Sequence, residues 1–225
     1  MTYNPAPILV AVLIVGSVAL GGGIAFVATQ NSQSTVTSTV TSTQQVAGTN
    51  SSVPYVLSLV ITTNNMFNAS VGDQPAYYVE GPNGLQSSAN ITLPANRMIE
   101  VVIMNYDQGN ATPISSQYDN VTGTVNGTMS VISNNVVNSS EGPSGIVIVG
   151  TQTVSSLVPA LISHTFTAPQ LNLNIPVAAE TTVIAYFMTG GPGTYPWFCT
   201  TPCGSGNSGL AGAMETPGWM SGSIV

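Results

Sequence analysis

The sequence predicts an all-β domain behind a single apolar helix, on three observations. Residues 7–28, PILVAVLIVGSVALGGGIAFVA, carry no charge. From residue 53 onward, short segments rich in β-branched and aromatic residues are punctuated by Gly, Pro, Asn and Asp, the pattern of strands and turns. No stretch after Ala28 keeps a helical hydrophobic period over ten residues.

As a helix, residues 7–28 are about 33 Å long, enough for a hydrocarbon core of about 30 Å. A retained anchor over 1–28 is the expectation. The alternative, a cleaved signal peptide, normally has a shorter apolar region and a basic start, and this chain has neither. No Lys or Arg flanks the helix, so charge gives no orientation. The Asn-X-Ser/Thr sequons at Asn50, Asn68, Asn90, Asn110, Asn120, Asn126 and Asn138 all follow the helix. If glycosylated they lie outside the cell, which places the protein in the cell membrane as a single-pass glycoprotein with its C-terminal domain extracellular. A chain rich in Asn, Ser and Thr also generates such triplets by chance. Residues 29–52, TQNSQSTVTSTVTSTQQVAGTNSS, are low in complexity and have no core-forming run. They read as a stalk, a tether between membrane and domain.

The domain is expected over 53–225. Its strands are expected at Tyr55–Thr62, Ala76–Gly81, 89–94, Met98–Asn105, 127–133, 145–150, 163–168, Thr181–Met188, 194–199 and 220–225. Short strands at this spacing build a sandwich or a barrel. The polar stretch 106–140 is expected to hold loops.

Composition excludes several functions. Only 4% of residues are charged, Arg97 is the sole basic side chain, and the net charge is −7. Binding to nucleic acid or anionic lipid by clustered cations is therefore excluded. With His164 the only histidine, no two-histidine metal site can form within this chain. No G-x-S-x-G elbow accompanies His164. No phosphate-binding loop follows GPNGLQ, and Glu80, Glu100, Glu141, Glu180 and Glu215 sit in no recognisable catalytic setting. No catalysis is expected from this chain alone.

The last third carries the chemistry. It contains SHTFTAPQLNLNIP around His164, then PGTYPWFCTTPCGSGNSGLAGAM with Cys199 and Cys203, then GWMSGSIV. Thiolates and an imidazole are copper donors, and a distant thioether tunes the metal. Met214 and Met220 are the thioethers downstream of the cysteines. Each residue has a plainer role: a hydrogen-bonded strand histidine, a disulfide between the two cysteines, which persists outside the cell, and methionines that pack.

These segments resemble the copper-binding region of cupredoxins. They are most similar to the extracytoplasmic domain of cytochrome and quinol oxidase subunit II and to archaeal sulfocyanin-like blue copper proteins. The likeness lies in the strand reaching His164, the turn Pro192-Gly193-Thr194-Tyr195, and the Cys199-Thr200-Thr201-Pro202-Cys203 spacing. It implies a Greek-key β-sandwich over 53–225. It also implies a copper site drawn from His164, Cys199, Cys203 and Met214 or Met220. The implied role is one-electron transfer in an aerobic respiratory chain, with respiratory complex subunits or a redox protein as partner, in an acidophilic archaeon. Where the family pattern has a second histidine and then a methionine, this chain has Asn207 and Leu210. Two rival readings follow: a copper-free subunit II-like scaffold of a quinol oxidase, and a cell-surface or filament β-domain.

Overall fold

A computed structural model describes residues 53–63, 74–109, 113–133, 148, 150–203 and 212–225. The chain divides into two units, Met1–Ser42 and Thr43–Val225, and every described residue belongs to the second. The expected anchor and stalk lie outside the described residues, as do Asn50, Asn68, Asn110 and Asn138. Among the described residues no helix is long and apolar enough to cross a membrane. Asn90, Asn120 and Asn126 are exposed.

The described residues are all-β, with short 3-10 turns and no α-helix. The strands are β1 (Tyr55–Thr62), β2 (Ala76–Gly81), β3 (Gly84–Ser87), β4 (Asn90–Ile91), β5 (Met98–Asn105), β6 (Met129–Ser133), β7 (Thr151–Val154), β8 (Ile162–Ala168), β9 (Leu173–Ala178), β10 (Thr181–Met188), β11 (Tyr195–Phe198) and β12 (Ser221–Ile224). They form a seven-stranded sheet in the order β3-β2-β1-β5-β10-β6-β7 and a five-stranded sheet in the order β4-β12-β11-β8-β9. Each sheet is mixed: β1 runs parallel to β5, and β12 parallel to β4.

Alternation explains the seven-stranded sheet. In β5 every second residue is buried, giving Ile99, Val101, Ile103 and Asn105 inside. Leu57, Leu59 and Ile61 of β1 and Val183, Ala185 and Phe187 of β10 join them. The five-stranded sheet contributes Phe166, Ile175, Val177, Trp197 and Ile224 to the same core. Two structural details position the site. The ladder between β8 and β9 slips, with Ile162 opposite Ala178 but His164 opposite Val177, so Ser163 is the extra residue of a β-bulge immediately before His164. Bulges re-aim the side chains beside them. In addition, the Tyr77 N–H of β2 donates to the Trp219 carbonyl at 2.8 Å, tying the first sheet to the segment that leads into β12.

Of the expected strand at 145–150, only Ile148 and Gly150 are among the described residues. Ile148 and Gly150 lie outside any strand, and the strand in this part of the chain is β7. Gly150 has φ 65°, a left-handed backbone that breaks a ladder and suits glycine.

Candidate metal centre

The β8 strand is buried at all seven positions. His164, Phe166 and Ala168 alternate with Thr165 and Thr167 along it. Phe166 belongs to an aromatic cluster, with its ring 5.2 Å from Trp197 and 6.1 Å from Tyr77. Tyr77 stands edge-on to His164 at 6.4 Å. His164 is thus wedged against aromatic rings and is only 1% exposed.

Cys199 directly follows β11. Its N–H donates to the Met220 carbonyl at 2.8 Å, which closes the base of the long loop between β11 and β12. The next residues turn tightly: the Cys203 N–H donates to the Thr201 carbonyl at 2.8 Å. Pro202 lies at the centre of this three-residue turn, where its fixed φ suits the geometry. The turn brings the Cys203 thiol to 3.1 Å from the Cys199 sulfur, which accepts its hydrogen. Both cysteines are free thiols.

His164, Cys199 and Cys203 therefore converge. Their ligand atoms all lie within 4.8 Å of one another, and His164 Nδ1 is 3.9 Å from Cys199 Sγ. The sequence expectation that these three residues share one place is met. Met220 is fully buried in the core, with its backbone alongside Cys199. Met214 is half-buried and lines an open cavity of about 670 Å³ with Pro196, Trp197, Phe198 and Glu215.

Three further residues shape the site. Asp107 places Oδ2 at 2.8 Å from His164 Nε2. The Thr165 N–H donates to Cys199 Sγ at 3.4 Å. The Thr201 hydroxyl donates to the Ser163 carbonyl at 2.9 Å and lies 3.0 Å from Cys199 Sγ. The bulged residue is thus tied to the cysteine turn. Thr165 and Thr201 sit inside the motifs that mark the site in the sequence. Asp107 has no such marker, because it lies in a short polar segment with no local pattern.

Behind the site, on the other face of β8, runs a row of buried polar groups. Thr165 Oγ1 accepts from the Thr200 N–H at 2.8 Å and meets the Thr200 and Thr167 hydroxyls at 2.9 and 3.0 Å. Thr167 donates to Asn174 Oδ1 at 2.7 Å, and Asn174 Nδ2 donates to the Tyr118 and Asn120 carbonyls. The row satisfies its own members and fixes the backbone on which Cys199 and His164 sit.

The site's charges are coupled. Burial opposes a charged ring at His164, but the Asp107 hydrogen bond and the Cys199 sulfur outweigh it and push the ring up to about 9. Burial likewise opposes ionisation of Cys199, yet hydrogen bonds from Cys203 and His164 hold its thiol well below the usual value. Hydrogen bonding to Cys199, together with burial, pushes Cys203 far up. Burial would raise Asp107; the His164 hydrogen bond and charge keep it below the ordinary carboxylate range. These shifts favour an ionised Asp107, a protonated His164 ring and an ionised Cys199 sulfur in the metal-free site, with the Cys203 thiol as donor.

These residues fit a thiophilic metal. Two sulfurs and an imidazole nitrogen are soft-to-borderline donors of the kind copper takes. The Tyr77 hydroxyl and Ser163 Oγ, both beside the cluster, are buried without a hydrogen-bond partner. Burial, then Cys199 and Cys203, raise the Tyr77 phenol well above its usual value, which favours its neutral form.

No protein-family model matches the chain, and no curated protein matches it. Among solved structures the chain is similar to auracyanin B at 15% identity, covering 78% of this chain and 91% of that one with a TM-score of 0.31. It is also similar to a Cu-containing nitrite reductase from Thermus scotoductus at 8% identity and a TM-score of 0.30. That match covers 76% of this chain but only 30% of the reductase. At TM-scores of this size, the case for the site stands on its own strands and distances: an all-β sandwich in which buried His164 and Cys199 meet a half-buried Cys203.

Proposed function

We propose that this chain is a copper protein that passes single electrons, with its domain held outside the cell by an N-terminal anchor. The observation that carries the reading is the convergence of His164, Cys199 and Cys203 ligand atoms within 4.8 Å. Copper bound there would supply a one-electron couple and a sulfur-to-metal charge-transfer band. Cys199 is the principal thiolate, steadied by the Thr165 N–H. His164 offers Nδ1, which faces the sulfurs. Cys203 is the second sulfur, and Met214 or Met220 the candidate thioether. β8 and the base of the β11–β12 loop are tied together by hydrogen bonds from Thr165, Thr201 and Cys199, so the donors would shift little between oxidation states of a bound copper. The finer reading is a tethered carrier or oxidase subunit II-like component of a respiratory chain, with a respiratory complex or redox protein as partner. It rests on the resemblance of the sequence motifs alone.

A second reading is favoured by the 3.1 Å between the sulfurs. Two thiols this close can oxidise to a disulfide, and the domain would then be a copper-free scaffold. Counting free thiols and metal in one wild-type sample separates the two readings. Two thiols with bound copper, and loss of the visible band in Cys199→Ala with the β spectrum retained, support the carrier. An oxidised pair with no copper makes the domain a scaffold.

A further inference from the structure

His164 is 1% exposed, so the protein must satisfy both ring nitrogens. Nε2 has a carboxylate at 2.8 Å and Nδ1 has the Cys199 sulfur at 3.9 Å. An ionised carboxylate only accepts hydrogen bonds. Facing it, Nε2 must carry a hydrogen. A neutral imidazole has one hydrogen, so its lone pair then falls on Nδ1, toward the sulfurs.

Asp107 is itself built into place. Its Oδ1 accepts from the Gly109 N–H at 3.2 Å. Its own N–H donates to Asn105 Oδ1 at 2.9 Å, and its carbonyl accepts from the Glu180 N–H at 3.2 Å. Asn105, the last residue of β5, is wholly buried, and its Nδ2 donates to the Ala178 carbonyl at 2.9 Å. The Thr181 hydroxyl donates to the same carbonyl. The end of the seven-stranded sheet's central strand is thus locked to the β9–β10 turn, and this lock aims the carboxylate across to β8.

We propose that Asp107 is a positioning residue of the metal centre, whose carboxylate holds the His164 hydrogen on Nε2 and so reserves Nδ1 for the metal. The proposal rests on the copper reading above. It adds a residue 57 positions away in sequence from the histidine it serves. Such outer partners fix the tautomer and ring orientation of a ligating histidine and raise its basicity, and losing one typically weakens metal binding about 10–100-fold. The rival acceptor for the ring hydrogen, Cys199 Sγ, is more than 1 Å further away than the carboxylate.

The chain's single histidine makes a direct test possible. Long-range proton–nitrogen correlation on ¹⁵N-labelled, reduced, metal-free protein, recorded above pH 9 where the ring is neutral, reads its tautomer without any metal. Wild type and Asp107→Asn, which keeps an acceptor oxygen, are expected to hold the hydrogen on Nε2. Asp107→Ala is expected to give a mixture of tautomers. A wild-type ring with its hydrogen on Nδ1 overturns the proposal, and that measurement needs no variant to fold. So does an Asp107→Ala ring indistinguishable from wild type. Competition for Cu(I) against bicinchoninate then reads affinity. A loss of about 10–100-fold in Asp107→Ala, largely restored in Asp107→Asn, supports the assignment. Equal affinity in wild type and Asp107→Ala overturns this proposal alone. No copper uptake by wild type overturns the copper reading and, with it, the role given to Asp107.

Discussion

The two sheets solve the burial problem differently. In the seven-stranded sheet, β5 alternates strictly, with Ile99, Val101, Ile103 and Asn105 inside and half-buried residues outside. In the five-stranded sheet, β8 and β9 are buried at every position. A strand covered on both faces is usually read as a continuous apolar run. Here one face is apolar and aromatic around His164, while the other is Thr165, Thr167 and Asn174, covered by the segment that carries Tyr118 and Asn120. The difference shows what a doubly covered strand can do. It can hold polar groups out of water, provided each has a partner. β8 and β9 carry a whole row of such groups, whereas β5 buries a single polar residue, Asn105, at its end.

The comparison is broken most forcefully at Trp197, which is 1% exposed and packs at 5.2 Å against both Phe166 and Tyr77. Trp197→Ala is expected to cost about 3–5 kcal/mol in urea unfolding, whereas Ile103→Val in β5 costs about 0.5–1.5 kcal/mol. Equal costs would mean the aromatic cluster is not the chief bond between the sheets. Thr165→Val tests the polar face itself. It strips the acceptor from the buried Thr200 N–H and is expected to cost about 1–3 kcal/mol, with a matching loss of protection at the Thr200 amide in hydrogen exchange.

The pH profile of reduced, metal-free protein sharpens the contrast further. Between pH 6.5, the unfolded value for a histidine, and about 9, the folded His164 ring keeps a proton that the unfolded ring has lost. Over the same window the folded Cys199 lacks a proton that the unfolded thiol, with a value of 9.0, retains. The proton counts match, so stability is expected to be flat across this window. It declines below pH 6.5, as acid reaches the lowered Cys199 thiol and the lowered Asp107 carboxyl. It also declines above pH 9, where an unfolded Cys203 sheds a proton that the folded one keeps. In Cys199→Ala the thiolate contribution is lost, and the His164 contribution shrinks to the part that Asp107 sustains. Stability should then fall as pH rises from 6.5, by less than about 1.4 kcal/mol per pH unit. Urea midpoints measured across the range decide it.

The smallest effect belongs to the open face of the first sheet. Ser58 donates to Glu80 at 2.7 Å in an exposed setting, and Ser58→Ala is expected to shift stability by no more than about 0.5 kcal/mol.

Legibility in the sequence followed the same division. The strands β1, β2, β5 and β10 were readable to the residue, because their apolar or alternating runs end at turn residues. The strands β3 and β7 were not. GLQS and TQTV lie at the two edges of the seven-stranded sheet, mostly exposed, and carry no core residue to announce them. The strand β9 was hidden for another reason. Its burial on both faces removes alternation, and Pro176 interrupts it. That proline is tolerated because β9 is an edge strand, where a missing N–H breaks no ladder. At the site, His164, Cys199 and Cys203 were legible from residue type and from the resemblance of the motifs that carry them. Asp107 was not, because a hydrogen bond reaching from the end of one sheet to a strand of the other leaves no trace in local sequence.

The row from Thr200 through Thr165 and Thr167 to Asn174 contains only hydroxyls, a primary amide and backbone groups. None of these gains or loses a proton over the range in which carboxylates, imidazoles and thiols do. An ion pair in the same place would be dismantled by acid at one end of the scale and by base at the other. This scaffold is indifferent to both. The donors in front of it can exchange protons while the lattice that holds them keeps a constant shape.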